Sequence, residues 1–232
     1  MVNNVGEVLI ELIQDPNDPR AAEAVSVLVQ AFKNDVIGNN LVGGHQHLRK
    51  MMFETIVRAT LAKGLLYIAL EGETGMVVGT ACWFPVGVDC FGDEEQREKA
   101  RLPELFTALG EEEPDVLQWW LNTFLPALNG LANRYLKESQ DDAGDVKLEN
   151  WTLYSLSVKP SHQGRGISRK LVKAGEDQAF KEGVYTSFET DSEKNLGIYE
   201  KLGYRIAGSE RVSGPPNGVD YNFYVLQKKA DI

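Results

Sequence analysis

The sequence predicts an α/β fold with a mixed central sheet of about seven strands flanked by helices. Short apolar runs of strand length recur along the chain, and longer segments of helical periodicity lie between them. Two of the apolar runs are joined by a tight glycine turn, which predicts an antiparallel hairpin. With 232 residues and 43% hydrophobic composition, the chain can bury one substantial core, so we expect a single domain over residues 1–232.

The first part of the chain predicts one strand, two helices and the hairpin. A cluster of Asp, Asn and Pro between the first strand and the first helix is turn chemistry. The predicted elements are a strand at Val8–Ile13, helices at about Arg20–Lys33 and His47–Lys63, and a hairpin of Leu65–Glu71 and Met76–Phe84 around Gly72–Gly75.

Residues 86–150 carry nearly all of the excess negative charge. They contain 15 acidic and 6 basic residues, a net charge of −9 out of −10 for the whole chain. Three glutamates before Pro114 mark a helix start, and a kink is expected at Pro126. The apolar stripe predicted for this helix consists of Leu117, Trp120, Leu121, Phe124, Leu128, Leu131 and Tyr135. We expect an acidic, largely helical insertion between the third and fourth strands.

The last third of the chain alternates strands and helices. Gly183 and Gly203 follow the two predicted helices, as glycine commonly does at a helix C-terminus. The predicted elements are strands at Trp151–Val158 and Val184–Glu189, helices at Ile167 to about Glu182 and Glu193–Leu202, and final strands at Tyr204–Val212 and Tyr221–Gln227.

Composition argues against several classes of protein. The formal charge of −10 disfavours a nucleic-acid surface, and every apolar run is shorter than the roughly 20 residues that span a bilayer. The N-terminus lacks the pattern of a secretory signal, and Cys82 and Cys90 alone do not make a disulfide framework. We therefore expect a cytoplasmic monomer or homodimer without membrane or nucleic-acid partners.

A glycine-rich turn, Gln163 to Ser168, lies between a predicted strand and a predicted helix. Such a turn directs several backbone N–H groups at a bound phosphate, and the helix dipole favours the negative charge. Gly-x-Gly alone also fits an ordinary strand-to-helix turn. A Rossmann fingerprint fails because its third glycine position holds Arg169, and the Gly-Lys-Ser/Thr of a Walker loop is absent.

The extended pattern Leu156-x-Val158-x-Pro160-x-x-Gln163-Gly164-Arg165-Gly166-Ile167-Ser168 resembles the acyl-CoA-binding motif of the GNAT acetyltransferase family. A second block with family-like spacing is Asn195-x-x-x-Tyr199-x-Lys201-x-Gly203-Tyr204. Ser168 stands where the family usually has Gly or Ala, but its N–H can still donate to phosphate. The resemblance implies a GNAT-like acyl-CoA N-acyltransferase fold with acetyl-CoA as the donor substrate.

The resemblance also implies roles for individual residues. The backbones of Leu156 and Val158 would pair with the pantetheine arm, and the Val158 N–H would polarise the thioester carbonyl. Asn195 would contact the coenzyme arm, and Tyr199 would also do so while protonating the departing thiolate as general acid. The pyrophosphate cradle would consist of Gln163, Gly164, Arg165, Gly166, Ile167 and Ser168, and Arg169 beside it could neutralise coenzyme phosphates.

The amine must lose a proton before or during attack, so the reaction needs a base. Our candidate is Glu149, just before the strand at Trp151, with Tyr154 and Glu189 as alternatives. Each of these residues also has an ordinary structural interpretation. His45 and His47 form a pair without a third ligand of suitable spacing, so no metal site is predicted.

We therefore predict an enzyme that transfers the acetyl group of acetyl-CoA to a primary amine of a small molecule. Transfer would be direct, in a ternary complex. Two alternatives remain: a catalytically silent module that binds or senses acyl-CoA, and an acetyltransferase that modifies proteins. The acidic insertion is hypothesised to form a lid or wall that attracts a cationic amine, the alternative being a solvated helix face.

Overall fold

The computed structural model describes residues 7–136 and 146–229. The helical bounds are α1 Arg20–Ala31, α2 Val36–Asn40, α3 Gln46–Lys63, α4 Glu94–Ala100, α5 Leu102–Glu112, α6 Pro114–Trp119, α7 Leu125–Tyr135, α8 Ile167–Lys181 and α9 Glu193–Lys201. The strands are β1 Val8–Ile13, β2 Leu65–Glu71, β3 Val77–Phe84, β4 Trp151–Val158, β5 Thr186–Thr190, β6 Arg205–Val212 and β7 Tyr221–Lys228. None of the described helices is both long and apolar enough to cross a membrane.

All seven strands in the described ranges form one sheet, in the order β1-β2-β3-β4-β5-β7-β6. Neighbouring strands are antiparallel except β4 and β5, which are parallel. This arrangement confirms the predicted mixed sheet. The helices α4 to α7 lie between the third and fourth strands, where the insertion was predicted, and residues 137–145 of that insertion lie outside the described ranges.

The insertion differs from prediction near Pro126. The helix widens into a π-helical turn over Trp120–Phe124, directly before the proline, and α7 begins at Leu125. Proline has no N–H and its ring collides with the carbonyl four residues earlier, so a regular α-helical turn is unfavourable there. The additional residue in the turn changes which side chains face inward: Trp119 is buried, whereas Leu121 of the predicted stripe is 44% exposed.

Helices cover both faces of the sheet. On one face, α1, α3 and the insertion bury a cluster that includes Leu28, Leu48 and Leu105. On the other face, α8 packs closely on β3, because Gly175 leaves room for the buried indole of Trp83. Helices therefore pack on both faces, and the sheet also has a gap between two of its strands.

That gap lies between the parallel strands β4 and β5. Their pairing is confined to Trp151 with Thr186 and Thr152 with Ser187, after which the strands diverge. On its other side, β4 stays paired with β3 as far as Val158, with a bulge that leaves Tyr154 without a partner in the register. Divergence of paired strands exposes backbone groups and opens a V-shaped cleft into the molecule.

Candidate active site

One wall of the cleft is the free edge of β4. The Lys159 N–H donates to the Val78 carbonyl of β3 at 2.8 Å. Because backbone groups of successive residues point to opposite sides of a strand, the N–H groups of Val158 and Leu156 point away from β3, into the cleft. The Val158 carbonyl, on the same side, accepts from Gln163 Nε2 at 3.2 Å. The cleft edge therefore offers backbone donors to an extended ligand.

The glycine loop lies at the mouth of the cleft and leads into α8. Gly164 and Gly166 have φ values of +77° and +74°, in the left-handed region that favours glycine. A Cβ at either position would have no neighbour within 4 Å, so the loop surface is open. No side chain caps α8, so the N–H groups at its start are available to a ligand anion.

Basic side chains surround this loop. Arg165 and Arg169 are exposed, and the guanidinium of Arg165 donates to the Ser161 carbonyl at 3.1 Å. Ile167 is buried beneath the loop and anchors the first turn of α8, whereas the partly exposed Ser168 follows it on the helix. The loop therefore combines open backbone, a helix N-terminus and two exposed cations, a combination suited to a diphosphate.

Inside the cleft lies a cavity of about 190 Å³. Its lining comes from the segment between α1 and α2 and from α2, α3, the insertion, β4, β5, α9 and β7, so it lies where all these elements converge. Leu156, Asn195 and Tyr199, three residues with predicted coenzyme contacts, line it. Its aromatic walls include Phe32, Phe53, Phe91, Trp120, Phe124 and Phe188.

Three carboxylates, Asp35, Glu189 and Asp191, also line the cavity. Burial raises the pKa of each of them. Asp35 is the N-cap of α2 and accepts from the Gly38 N–H at 2.7 Å, which partly offsets the effect of burial on its pKa. The cavity is therefore an apolar, aromatic pocket with acidic groups, suited to a cation that carries an apolar body.

The pKa of Asp191 is raised close to neutrality. Burial, and next the charge of Asp35, raise its pKa from the ordinary 3.8 to about 6, while a 3.4 Å hydrogen bond from the Ile37 N–H acts in the opposite direction. A carboxylate with a pKa this close to neutrality is a good proton acceptor at physiological pH. Sequence reasoning missed Asp191 and Asp35. The available signal was the place of Asp191, directly after the carboxyl end of β5.

Tyr199 lies on α9, facing the cavity. Its ring packs edge-on against Phe188, with the ring centroids 4.5 Å apart. Burial, and next the charge of Asp191, raise its pKa to about 12. The hydroxyl therefore keeps its proton at neutral pH and can donate a hydrogen bond.

Glu149, the base candidate from sequence, lies elsewhere. It is an exposed residue at the end of a 3₁₀ turn, Val146–Glu149, and it is outside the cavity lining. The two alternatives, Tyr154 and Glu189, do line the cavity. The turn directs its last residue, Glu149, to solvent.

Glu189 belongs to a buried group of charges behind the cavity. Lys147, whose side chain is 4% exposed, lies 3.5 Å from Asp89 and 3.8 Å from Glu189. Burial raises the pKa of Glu189, an effect that Lys147 partly offsets. A buried carboxylate without a partner destabilises the folded state, so Lys147 offsets part of the free-energy cost of burying Glu189 in this wall of the cavity.

The two cysteines are both free and buried. Burial raises the pKa of Cys82 to about 12 and that of Cys90 well above its ordinary value. Only a thiolate is a competent nucleophile, so neither thiol is activated for covalent catalysis. Cys82 lies in β3 and belongs to the core.

The structure separates the two parts of the hypothesis about the insertion. The insertion does form a wall of the cavity, through Phe91, Leu105, Trp120, Phe124 and Leu128. All five are apolar or aromatic, and no carboxylate from the described residues of the insertion joins them. The acidic groups of the cavity come instead from the start of α2 and the end of β5.

Comparisons with known proteins agree with this fold and site. The model of the acetyltransferase (GNAT) family matches residues 39–204. An uncharacterised N-acetyltransferase of Schizosaccharomyces pombe is 28% identical over 189 residues, 78% of this chain and 69% of the relative.

Two solved structures have a similar fold. One is histone acetyltransferase HPA2 and related acetyltransferase from Corynebacterium glutamicum, with a TM-score of 0.61, 18% identity, and coverage of 96% of this chain and 97% of the other. The other is arylalkylamine N-acetyltransferase 2 from Aedes aegypti, with a TM-score of 0.60, 16% identity, and coverage of 97% and 100%. Since the family match spans most of the sequence, the chain belongs to the GNAT family of acetyltransferases.

Proposed function

We propose that this protein transfers the acetyl group of acetyl-CoA to a primary amine on a small molecule with an apolar or aromatic body. The observation that carries the proposal is the cavity between β4 and β5, where Asp35 and Asp191 lie within aromatic walls beside Tyr199. An ammonium group is attracted by the carboxylates, and an apolar body is favoured by the walls.

The donor would bind along the outer part of the cleft. In the proposal, its pyrophosphate lies on the loop from Gln163 to Arg169 and its pantetheine arm pairs with the free edge of β4 at Leu156 and Val158. The Val158 N–H then donates to the thioester carbonyl, and Asn195 contacts the arm. Support comes from the left-handed glycines of the loop and from the N–H direction along β4.

The acceptor would enter the aromatic part of the cavity. The insertion contributes Trp120 and Phe124 to the lining here, and a cavity of about 190 Å³ suits a small molecule better than a protein segment. The fold of the Aedes enzyme, whose name gives an arylalkylamine as its substrate, is consistent with an aromatic acceptor.

Asp191 replaces Glu149 as the proposed general base. It accepts one proton from the ammonium, the N–C bond forms, and the C–S bond breaks. The departing sulfur takes the hydroxyl proton of Tyr199, and the tyrosinate takes the second proton from the new amide nitrogen. These steps are coupled, because protonation of Asp191 removes one of the charges that raise the pKa of Tyr199. A direct transfer also agrees with the protonated, buried thiols of Cys82 and Cys90.

The test is thiol release from acetyl-CoA against a panel of amines: arylalkylamines, alkylamines, polyamines and peptides with free N-termini. We expect turnover to be highest with arylalkylamines, and initial-velocity lines to intersect when both substrates are varied. Parallel lines would indicate a covalent intermediate and contradict direct transfer. A preference for peptides would favour a protein-modifying enzyme, and coenzyme binding without turnover of any amine would favour a sensing module.

Two variants test the proposed residues. Tyr199→Phe and Asp191→Asn should each lower kcat by about 100-fold or more, since general acid or base catalysis typically contributes that much. Asp177→Asn is the matched control, because Asp177 is exposed on α8 and pairs with Lys173. Full activity in Asp191→Asn, with Glu149→Gln inactive, would restore Glu149 as the base.

A further inference from the structure

The structure assembles a cluster of potential metal ligands away from the acetyl-transfer cavity. His45 precedes α3 and His47 lies in its first turn, whereas Glu112 ends α5 of the insertion. One ligand atom from each of these three residues lies within 4.8 Å of the other two. The third ligand that the sequence did not reveal is therefore supplied by tertiary packing. We propose that His45, His47 and Glu112 bind one Zn²⁺ ion.

The donor set suits zinc. Two imidazoles and a carboxylate are the three protein ligands of many zinc sites, with water in the fourth position. Zinc ligand atoms lie about 2.0–2.2 Å from the ion, so two of them in a tetrahedral site are about 3.4 Å apart. Closing from 4.8 Å needs about 1.4 Å, or about 0.7 Å for each of two side chains, which side chains that are 40% to 56% exposed can make.

Existing contacts already orient these groups. His47 Nε2 lies 2.8 Å from a Glu112 carboxylate oxygen, a contact in which zinc would replace the shared proton. Glu113 lies 2.6 Å from His45 Nε2, the kind of outer carboxylate that fixes the ring of a metal-bound histidine. The backbone makes room for Glu113 at Gly43, where a Cβ would come within 2.6 Å of the Glu113 Cδ.

The charge at the cluster also favours a dication. Glu112 and Glu113 give it two negative charges when the histidines are neutral, and a zinc ion neutralises both. The carboxyl end of α5 adds partial negative charge, which the N-terminus of α3 opposes. The two carboxylates therefore make the electrostatic potential at the cluster negative.

The position of the site gives the ion a structural consequence. It joins the start of α3 to the insertion, just beyond the loop where Trp120 Nε1 donates to the Leu41 carbonyl at 2.9 Å. Leu41 and Trp120 both line the acetyl-transfer cavity. Zinc at this point clamps two elements of the cavity wall together.

The test is calorimetric titration of the chelator-treated full chain with ZnCl₂. We expect one zinc per chain, and affinity lower in His47→Ala and in Glu112→Gln by at least the roughly 10- to 100-fold that loss of an outer partner of a ligand causes. His162→Ala is the matched control, because His162 pairs with Glu71 in another part of the molecule, and it should bind zinc like the wild type.

A second measurement guards against misfolded variants. Without zinc, the variants should unfold at nearly the wild-type temperature, since the side chains removed are largely exposed. Zinc at 100-fold above its Kd should raise the unfolding midpoint of the wild type by roughly 5–10 °C and leave His47→Ala unchanged. Equal zinc affinity in the wild type, His47→Ala and Glu112→Gln, or no binding by the wild type, would overturn the proposal.

Discussion

Replacing Asp191 with Asn should stabilise the folded protein at neutral pH even though it should abolish most of the activity. In the folded state burial and Asp35 raise the pKa of Asp191 from 3.8 to about 6. Ionising this carboxylate therefore costs the folded state about 3 kcal/mol, since each pKa unit corresponds to about 1.4 kcal/mol. Asn removes the charge, and its amide oxygen can still accept from the Ile37 N–H.

The sign follows from proton binding. Between pH 3.8 and 6 the folded state keeps a proton that the unfolded chain releases, so stability falls as pH rises through that window. Above about pH 7 the cost is fully present. Because Asp191 is only partly buried, solvent screening lowers the gain, and we expect about 1–3 kcal/mol at pH 7.5, or a rise in Tm of roughly 2–10 °C.

The assay is urea unfolding of the wild type and Asp191→Asn from pH 4.5 to pH 8. The difference in the free energy of unfolding should be about a third of its plateau at pH 4.5, grow through pH 6 and level off above pH 7. Asp177→Asn, an exposed carboxylate, should change stability by less than about 0.5 kcal/mol at every pH. A variant that is no more stable than the wild type at pH 7.5, or a difference that is independent of pH, would refute the reasoning.

Three further substitutions have defined outcomes. Gly175→Ala should lower the free energy of unfolding by about 1–3 kcal/mol, because its Cβ would lie 2.2 Å from the buried Trp83 indole. In Gly197→Ala, on α9, the new Cβ meets nothing within 4 Å, so this variant should raise the free energy of unfolding by about 0.5–1 kcal/mol. Urea unfolding measures both changes. Gly166→Ala should raise the KM for acetyl-CoA about tenfold, because the new side chain strains the loop backbone by about 1–2 kcal/mol. Gly183→Ala is the control, since Gly183 has the same φ of +74° and equally open space. It should lower the free energy of unfolding by a similar amount and leave the KM for acetyl-CoA unchanged. Lys147→Met should lower the free energy of unfolding by about 3–5 kcal/mol at pH 7.5, because Asp89 and Glu189 lose the cation that they share. The loss should be smaller at lower pH, because Glu189, whose pKa is raised, then takes up a proton.

Local features of the fold were predictable because their causes are local. The strands Val8–Ile13, Leu65–Glu71 and Trp151–Val158 have the predicted bounds, since apolar runs bounded by turn residues specify both their type and their length. The π-helical turn before Pro126 was not predicted. Periodicity assumes one regular helix, and it therefore assigned Leu121 to the buried face although the side chain is exposed.

The sequence by itself determined the family and the glycine loop from Gln163 to Ser168, because an anion cradle is built from consecutive backbone groups and the first turn of one helix. Tertiary structure alone decided the acidic pair in the cavity, since Asp35 and Asp191 come from distant parts of the chain and meet only after α2 packs beside the end of β5. It likewise excluded Glu149 from the cavity and brought Glu112 to His45 and His47. Spacing along the chain cannot report such contacts, because they depend on how separate elements pack against one another.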